Sequence, residues 1–151
     1  EPETELTREM LVQLLYNKEG TPEVTTENPF SDVDNNWYTN AIIWAAEEEI
    51  VSGYEDGTFG LNKEITRQEL ATMLYNYATY KGYDTEATGD LDGFGDITKD
   101  SDWALEYLSW AVGHEVMSGT SETTIQPMGT ATRVQAATMI VNFMEAFEAE
   151  K

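Results

Sequence analysis

Two helical patterns of apolar residues alternate along the chain. The first pattern places Ala41, Ile42, Ala45 and Ala46 at the three-and-four spacing of a helix with one buried face. A run of three carboxylates follows at residues 47–49, which is typical of a solvated helix end. The pattern therefore predicts a helix that packs on a core through its alanine-rich side.

The second pattern begins each time at a Thr-Arg pair. The three pairs are Thr7-Arg8, Thr66-Arg67 and Thr132-Arg133. Thr66 with Glu69, and Thr132 with Gln135, have the spacing of a capping box, which satisfies orphaned amide donors at a helix N-terminus. The apolar residues that follow share one helix face and are predicted to be core: Leu70, Leu74 and Tyr77, then Ala136, Ile140 and Phe143.

The residues before the Thr-Arg pairs show that the chain is a tandem repeat. Gly53 precedes Arg67 by 14 positions, and Trp37 precedes Gly53 by 16. The same two spacings separate the corresponding residues of a second copy: Trp103, Gly119 and Arg133. Two further residues also correspond, Phe30 and Asp32 to Phe94 and Asp96, although the segment before the Trp differs by two residues in length. Each copy is predicted to contain a Phe-x-Asp turn, a helix after the Trp, a loop through the Gly and a Thr-Arg helix.

This repeat predicts the domain organisation. Residues 29–80 and 93–148 are two full units, whereas residues 1–18 contain only the closing helix of a first unit. The Gly- and Asp-rich segment 81–92 is interpreted as a linker, and segment 19–28 is expected to play the same part earlier in the chain. Because 151 residues fit the usual size of one domain, all units are expected to form a single compact body.

Composition excludes several functions. Twenty-nine Asp and Glu against eight Lys and Arg give a formal charge of -21, which disfavours nucleic acid and anionic membranes as partners. No apolar run reaches the ~20 residues of a membrane span, and no signal peptide stands at Glu1, so we expect a mature protein or an excised fragment without membrane insertion. The absence of Cys excludes disulfides and thiolate chemistry.

The motifs of the middle unit resemble the S-layer homology (SLH) domain. They are FSDV, Trp37, IVSGYEDGTFG and ITRQELATML. The third unit carries FGDI, Trp103, VMSGTSETTIQP and ATRVQAATMI with more departures, and residues 6–16 resemble only the closing helix. The resemblance implies a mainly α fold, in which tandem SLH units form a pseudo-threefold spindle with a central three-helix bundle and helix-loop-helix prongs.

The same resemblance implies a function. SLH domains are non-catalytic modules that attach surface proteins to secondary cell-wall polysaccharide, which often carries ketal-linked pyruvate. The chain is thus expected to act without a cofactor, outside the cell, at the cell wall or S-layer of a Gram-positive bacterium, and to bind the polysaccharide in grooves between units. The alternative is a degenerate SLH-like scaffold that contacts other surface proteins and binds no glycan.

Nine glycan-binding residues follow from matching positions to the family. They are Arg67, Asp32, Trp37 and Gly53 in the middle unit, Arg133, Asp96, Trp103 and Gly119 in the third, and Arg8 in the first. An Arg at a helix start is disfavoured by the helix dipole, so its threefold repetition favours an anion site in which a guanidinium holds a carboxylate. The Trp rings would face a sugar ring, and the Asp carboxylates would accept from its hydroxyls.

Each of these residue types also has a structural interpretation. The Arg side chains can be ion-pair partners, the Trp rings core or capping aromatics, the Gly residues positive-φ turn positions, and the Asp carboxylates turn or helix caps. We expect the middle unit to hold the main site. The third groove is expected to be weaker, because residues 120–125 replace the YEDGTF stretch. Arg8 is interpreted as part of a bundle helix rather than a site.

Metal and hydrolytic chemistry are disfavoured. Segment 90–96 has Asp at the first and third EF-hand positions and Gly at the sixth, but Phe94 and Ser101 occupy the fifth and twelfth. We reject an EF-hand and predict no metal site, although a weak surface calcium site stays open. No carboxylate pair stands out for glycoside hydrolysis. The lone His114 is interpreted as a surface or helix C-terminal capping residue.

Overall fold

The computed structural model describes residues 5–148, and these residues are mainly α-helical. The elements are α1 (Arg8–Lys18), α2 (Thr39–Glu47), α3 (Arg67–Lys81), a 3-10 helix (Lys99–Ala104), α4 (Leu105–Gly113) and α5 (Arg133–Phe147). In this part of the chain the loops carry no strand and form only isolated β-bridges. The mainly α fold class is therefore confirmed, while the spindle arrangement stays a prediction.

The helix boundaries follow the capping signals in the sequence. Thr66 and Thr132 each accept a hydrogen bond from the backbone of the residue three positions on, and both capping boxes are complete. Thr7 caps α1 in the same way through the amide of Met10, without the reciprocal Glu. The three Thr-Arg pairs thus begin three helices, as predicted. The predicted helix after each Trp is also present, since α2 begins at Thr39 and α4 at Leu105.

The chain divides into two compact units, and the division falls inside the middle repeat. One unit comprises Leu6–Glu64, and the other comprises Glu5 and the described residues from Ile65 onward. Each unit therefore joins a Thr-Arg helix to the first half of the repeat that follows it. The first four residues of the predicted segment 1–18 lie outside the described part, and the organisation into one body of three units stays a prediction.

In the unit Leu6–Glu64, α1 packs on α2. Tyr16 of α1 meets Trp44 of α2 with 5.5 Å between ring centroids, and Trp44 is 1% exposed. The predicted alanine-rich face is confirmed for Ala41, Ile42 and Ala45, which are fully buried, whereas Ala46 is partly exposed. Burial of such a large aromatic removes a large apolar surface from water.

In the unit that begins at Ile65, α3 packs on α4 by the same contact. Tyr75 of α3 meets Trp110 of α4 with 5.5 Å between ring centroids, and Trp110 is fully buried. The predicted core faces of α3 and α5 are buried, except that Ile140 is partly exposed. Trp44 and Trp110 lie seven positions after Trp37 and Trp103, so the core aromatics belong to the repeat as well.

The segment predicted as a second linker packs against α4. The Gly89 amide donates to the Ser109 carbonyl oxygen at 3.0 Å, and the Trp110 indole donates to the Asp84 carbonyl oxygen at 3.0 Å. Gly113, the last residue of α4, faces the backbone of Gly89 so closely that a Cβ there would lie 2.5 Å from its nitrogen. Residues 84–89 therefore form a close crossing over α4, which needs glycine on both sides.

None of the helices in the described chain is long and apolar enough to cross a membrane.

Candidate functional site

Arg8 docks on the loop of the middle repeat. Its Nε donates to the Phe59 carbonyl oxygen at 3.0 Å, and its guanidinium carbon lies 5.0 Å from the Phe59 ring centroid and 5.1 Å from that of Tyr54. Its backbone amide donates to the Lys63 carbonyl oxygen at 3.0 Å. The side chain is only 7% exposed. Arg8 thus holds the loop by a hydrogen bond to its backbone and by cation–π contacts.

Arg67 docks on the loop of the third repeat in the same register. Its Nε donates to the Ile125 carbonyl oxygen at 2.8 Å, and its Nη2 donates to the Ser118 carbonyl oxygen at 2.8 Å. Its backbone amide donates to the Gly129 carbonyl oxygen at 2.8 Å. Burial lowers the pKa of the Arg67 guanidinium, and the nearby Asp96 carboxylate opposes that shift. The pKa of an Arg lies so far above neutral pH that the side chain stays charged.

These contacts show which of the predicted site residues lie together. Each docked Arg contacts the loop of the following repeat and not the loop of its own. Arg67 therefore belongs with Asp96 and Gly119 of the third repeat, and Arg8 with the loop that Asp32 holds. Arg8 starts α1 and is buried against this loop, and its interpretation as part of a bundle helix rather than a site stays a prediction.

Arg133, the third member of the series, is exposed at the start of α5. The hydrogen bonds that hold Arg8 and Arg67 in place go to backbone carbonyls, so the ion-pair interpretation does not account for their burial.

The two predicted Asp residues clamp these loops. Asp32 accepts the backbone amides of Phe59, Gly60 and Leu61 at 2.8 to 3.0 Å. Burial alone would raise the pKa of Asp32, but these three amides outweigh it and hold the pKa below the ordinary 3.8. The turn-fixing interpretation is thus supported for Asp32, and contact with a glycan stays a prediction.

Asp96 repeats the clamp in the third repeat. It accepts the amides of Ile125, at 3.0 Å, and of Gln126, at 2.8 Å. Both loops therefore present their carbonyl oxygens to the docked Arg while their amides bind the Asp.

The two predicted Gly residues both approach the Phe ring of their repeat closely, but they differ in backbone conformation. Gly53 has φ +74, in the left-handed region, as expected for a turn glycine. Gly119 does not, and the expectation of a positive φ there is wrong. A Cβ on Gly119 would instead lie 2.6 Å from the Phe94 ring and 2.6 Å from the Ser121 carbonyl oxygen. Gly119 is therefore required by close approach of its neighbours.

Trp37 and Trp103 lie on the surface. They are 60% and 53% exposed, so neither is a core aromatic, and the interpretation as capping aromatics stays a prediction. Trp37 packs edge-on against Tyr38 with 5.0 Å between ring centroids, and Trp103 lies in the 3-10 helix with Tyr107 6.3 Å away. Two exposed indoles at matching repeat positions remain available to a ligand, although neither lines the cleft described next.

A cleft of about 400 Å³ opens beside Arg67. One wall is the loop of the third repeat, with Ser118, Gly119 and Thr120, and the other is α5. Sequence reasoning missed the α5 wall, whose polar members are Gln135, Thr138 and Asn142. Helical spacing from Thr132 could have placed these three on one face, but no sequence signal indicated which loop they oppose.

The cleft combines one cation with neutral polar groups. Its uncharged polar side chains are Ser118, Thr120, Gln126, Gln135, Thr138 and Asn142. Among the described residues that line it, none is Asp or Glu, although 29 of the 151 residues in the chain are acidic. The cleft therefore differs in charge from the rest of the chain and suits a neutral or anionic ligand.

His114 and the acidic residues form no metal centre in the part of the chain that the structure covers. No group of three or more Asp, Glu or His side chains is placed to hold a metal ion there. His114 is the C-cap of α4, as predicted, and its Nε2 lies 3.1 Å from the Glu86 carbonyl oxygen.

Comparison with known proteins identifies the repeat. The model of the S-layer homology domain matches residues 29–71 and 93–137, more than half of the chain. The cellulosome-anchoring protein of Acetivibrio thermocellus is 28% identical over 149 residues, which is 95% of this chain and 33% of that protein.

Two further relatives contain a similar segment. Exoglucanase XynX of Acetivibrio thermocellus is 31% identical over 96% of this chain and 13% of its own length. The surface-layer 125 kDa protein of Lysinibacillus sphaericus is 32% identical over 80% of this chain and 10% of its own length. The chain thus spans a third or less of these relatives, and the catalytic activity of the exoglucanase does not carry over. The chain belongs to the S-layer homology domain family, whose modules are found at the bacterial cell surface.

Proposed function

We propose that the chain anchors a surface protein non-covalently to a cell-wall polysaccharide, and that the cleft beside Arg67 binds an anionic, pyruvylated sugar of this polymer. Anchoring as such is supported by relatives named as cellulosome-anchoring and surface-layer proteins. The observation that carries the proposal is a buried Arg at the edge of a cleft whose described lining contains no carboxylate.

Arg67 is suited to hold a carboxylate. Its contacts with Ser118 and Ile125 fix the plane of the guanidinium and use only two of its five N–H groups. A guanidinium fixed in this way loses little conformational entropy when it binds a ligand. A ketal-linked pyruvate presents a carboxylate, which pairs with Arg by parallel hydrogen bonds.

The remaining lining matches a sugar ring. Thr120, Thr138 and Asn142 supply hydroxyl and amide groups that can both donate to and accept from sugar hydroxyls. Met139 and Val134 add apolar surface to the same wall, which suits the C–H face of a pyranose. The lining therefore combines one charge contact with several neutral hydrogen-bonding groups.

The net charge of -21 does not prevent such binding. At physiological salt, screening reduces interactions between exposed charges beyond about 8 Å, so distant carboxylates repel a bound anion weakly. Short contacts to a partly buried Arg are screened much less. We therefore expect binding to weaken moderately with salt and not to vanish.

The test is binding to purified cell-wall polysaccharide of an S-layer-bearing bacterium, before and after chemical removal of pyruvate. The proposal predicts saturable binding to the native polymer and a loss of at least about tenfold in affinity after depyruvylation. Equal binding to both polymers would overturn the pyruvate assignment but leave anchoring intact. No binding to either polymer would favour the scaffold alternative, in which the chain contacts other surface proteins.

A further inference from the structure

A groove of about 520 Å³ lies beside α2 in the unit Leu6–Glu64, and we call it the α2 groove. One wall is the segment 26–30, and the other is α2 with the residues that follow it. Phe30, Ile43 and Val51 are buried side chains of this lining and give the groove an apolar floor. The volume lies within the range of about 300–1,000 Å³ that is usual for ligand sites.

The edge of the α2 groove is acidic. Glu27 lies on the wall formed by segment 26–30, Glu47 and Glu49 lie on the opposite wall, and all three are exposed. Among the described residues that line the groove, none is Lys or Arg. Carboxylates beside a low-dielectric apolar surface attract cations more strongly than carboxylates on an open face do. The groove therefore combines the charge and the surface that suit a cation with an apolar stem.

In the third repeat a stretch of backbone covers the same side of the helix. The Gly89 amide donates to the Ser109 carbonyl oxygen at 3.0 Å, and the Ser109 hydroxyl donates to the Gly89 carbonyl oxygen at 2.7 Å. Gly113 allows this approach, because a Cβ there would lie 2.5 Å from the Gly89 nitrogen. The covering segment 84–89 is not helical. This side of the helix can thus hold a non-helical peptide segment.

In the middle repeat the same side of the helix lies open. Ile43 and Glu47 stand at the repeat positions of Ser109 and Gly113. A side chain at the position of Gly113 is incompatible with a backbone as close as that of the third repeat. Thr25 meets Glu47 through its hydroxyl, which donates to Oε2 at 2.9 Å. The α2 groove therefore lies where a crossing segment covers the helix in the third repeat.

We propose that the α2 groove binds a basic, non-helical peptide segment of a partner protein, in which a Lys side chain stands beside an apolar one. The apolar side chain and the methylene stem of the Lys pack on the apolar floor, while the ammonium group reaches the carboxylates of Glu27 and Glu47 at the edge. Charge complementarity selects a basic segment over an acidic one. The Arg67 cleft shares no residue with this groove, so the two sites can be tested separately.

The test titrates the ¹⁵N-labelled chain with three peptides and follows the backbone amide resonances of residues 43–52 by NMR. The peptides are acetylated and amidated, and they have the sequences Lys-Leu-Lys-Leu-Lys, Lys-Gly-Lys-Gly-Lys and Glu-Leu-Glu-Leu-Glu. The first should give saturable shifts, and the second should bind at least about tenfold more weakly, because it lacks the apolar contact. The third should not bind. Equal affinity of the first two peptides, or no saturation with the first, would overturn the proposal.

Charge variants show whether the carboxylates of the groove are responsible. Glu47→Gln keeps an acceptor for the Thr25 hydroxyl and removes the charge, and it should weaken binding of the first peptide about threefold. Combined with Glu27→Gln, the loss should reach at least about tenfold. Glu48→Gln is the matched control, since Glu48 is exposed and does not line the groove, and it should leave the affinity nearly unchanged. Equal losses for Glu47→Gln and Glu48→Gln would show that net charge alone attracts the peptide and would overturn the proposal.

A steric variant shows whether the peptide lies in the groove. Ala46 lines it and is partly exposed, so Ala46→Leu fills the space without removing a charge and is compatible with the helix. This variant should bind the first peptide at least about tenfold more weakly than wild type. Unchanged affinity would place the peptide elsewhere on the acidic surface and would overturn the proposal.

Discussion

The Arg67 guanidinium donates from Nη2 to the carbonyl oxygen of Ser118, a residue 51 positions further along the chain, at 2.8 Å. This bond joins the Thr-Arg helix of the middle repeat to the loop of the third. It places a buried positive charge at the edge of the cleft. The hydrogen bonds that hold the charge there go to backbone carbonyl oxygens. The same side chain thus stabilises the loop and presents a cation to the cleft.

Removal of this side chain should destabilise the unit that contains it. Arg67→Ala leaves the carbonyl oxygens of Ser118 and Ile125 without their donor, and we expect a loss of about 2–4 kcal/mol in the free energy of unfolding. Arg133→Ala changes the same repeat position where it is exposed, and its effect should stay below about 1 kcal/mol. Urea denaturation followed by circular dichroism measures both. Equal effects would contradict a specific role of Arg67 in holding the loop.

The Asp32 clamp should make stability depend on pH. Because three backbone amides hold the pKa of folded Asp32 below 3.8, its contribution is fully present above that value and is lost as the pH falls through the folded pKa. Asp32→Asn replaces an acceptor by a donor and should cost about 1–3 kcal/mol at pH 7.

The difference in unfolding free energy between wild type and Asp32→Asn should therefore be constant from pH 7 to 5 and shrink below pH 3.8. Asp34→Asn, at an exposed neighbouring carboxylate, serves as the control and should change the free energy of unfolding by no more than about 0.5 kcal/mol at pH 7. A difference that persists unchanged at pH 3 would argue against the carboxylate as the clamp.

The crossing of residues 84–89 over α4 should make one glycine irreplaceable. Gly→Ala at a helical position ordinarily stabilises a helix by up to about 1 kcal/mol. At Gly113 the added methyl meets Thr88 and the Gly89 backbone, so we expect Gly113→Ala to destabilise by about 1–3 kcal/mol instead. Gly93→Ala, where a Cβ would meet nothing within 4 Å, should be neutral. The midpoint of thermal unfolding is measured for both variants, and an unchanged midpoint for Gly113→Ala would rule out the close crossing.

Local features of the fold could be predicted from the sequence. Capping boxes and helical spacing act within a few residues, so Thr66 and Thr132 marked their helices correctly. The alanine-rich face of α2 was also read correctly, since burial follows its spacing. Which Trp of each repeat is buried was not predicted correctly, because nothing in the spacing distinguishes the exposed Trp37 from the buried Trp44.

The site could be predicted only as a set of residue types. A repeat can be divided at any point along its period without changing the sequence pattern, so periodicity alone does not say whether Arg67 meets its own loop or the next one. That choice depends on contacts between residues more than 50 positions apart, which are decided by the packing of helices. The polar wall on α5 was missed for the same reason.

The most direct measurement of the central claim compares Glu substitutions at two adjacent positions of α5 in a binding assay with purified cell-wall polysaccharide. Thr138 lines the cleft and Ala137 does not, while both positions are exposed, so neither substitution should unfold the helix. If Arg67 and the α5 wall hold an anionic glycan, Thr138→Glu should weaken binding by at least about tenfold, which corresponds to about 1.4 kcal/mol, and Ala137→Glu should leave it nearly unchanged. Equal affinities of the two variants would contradict the assignment of this cleft as the glycan site.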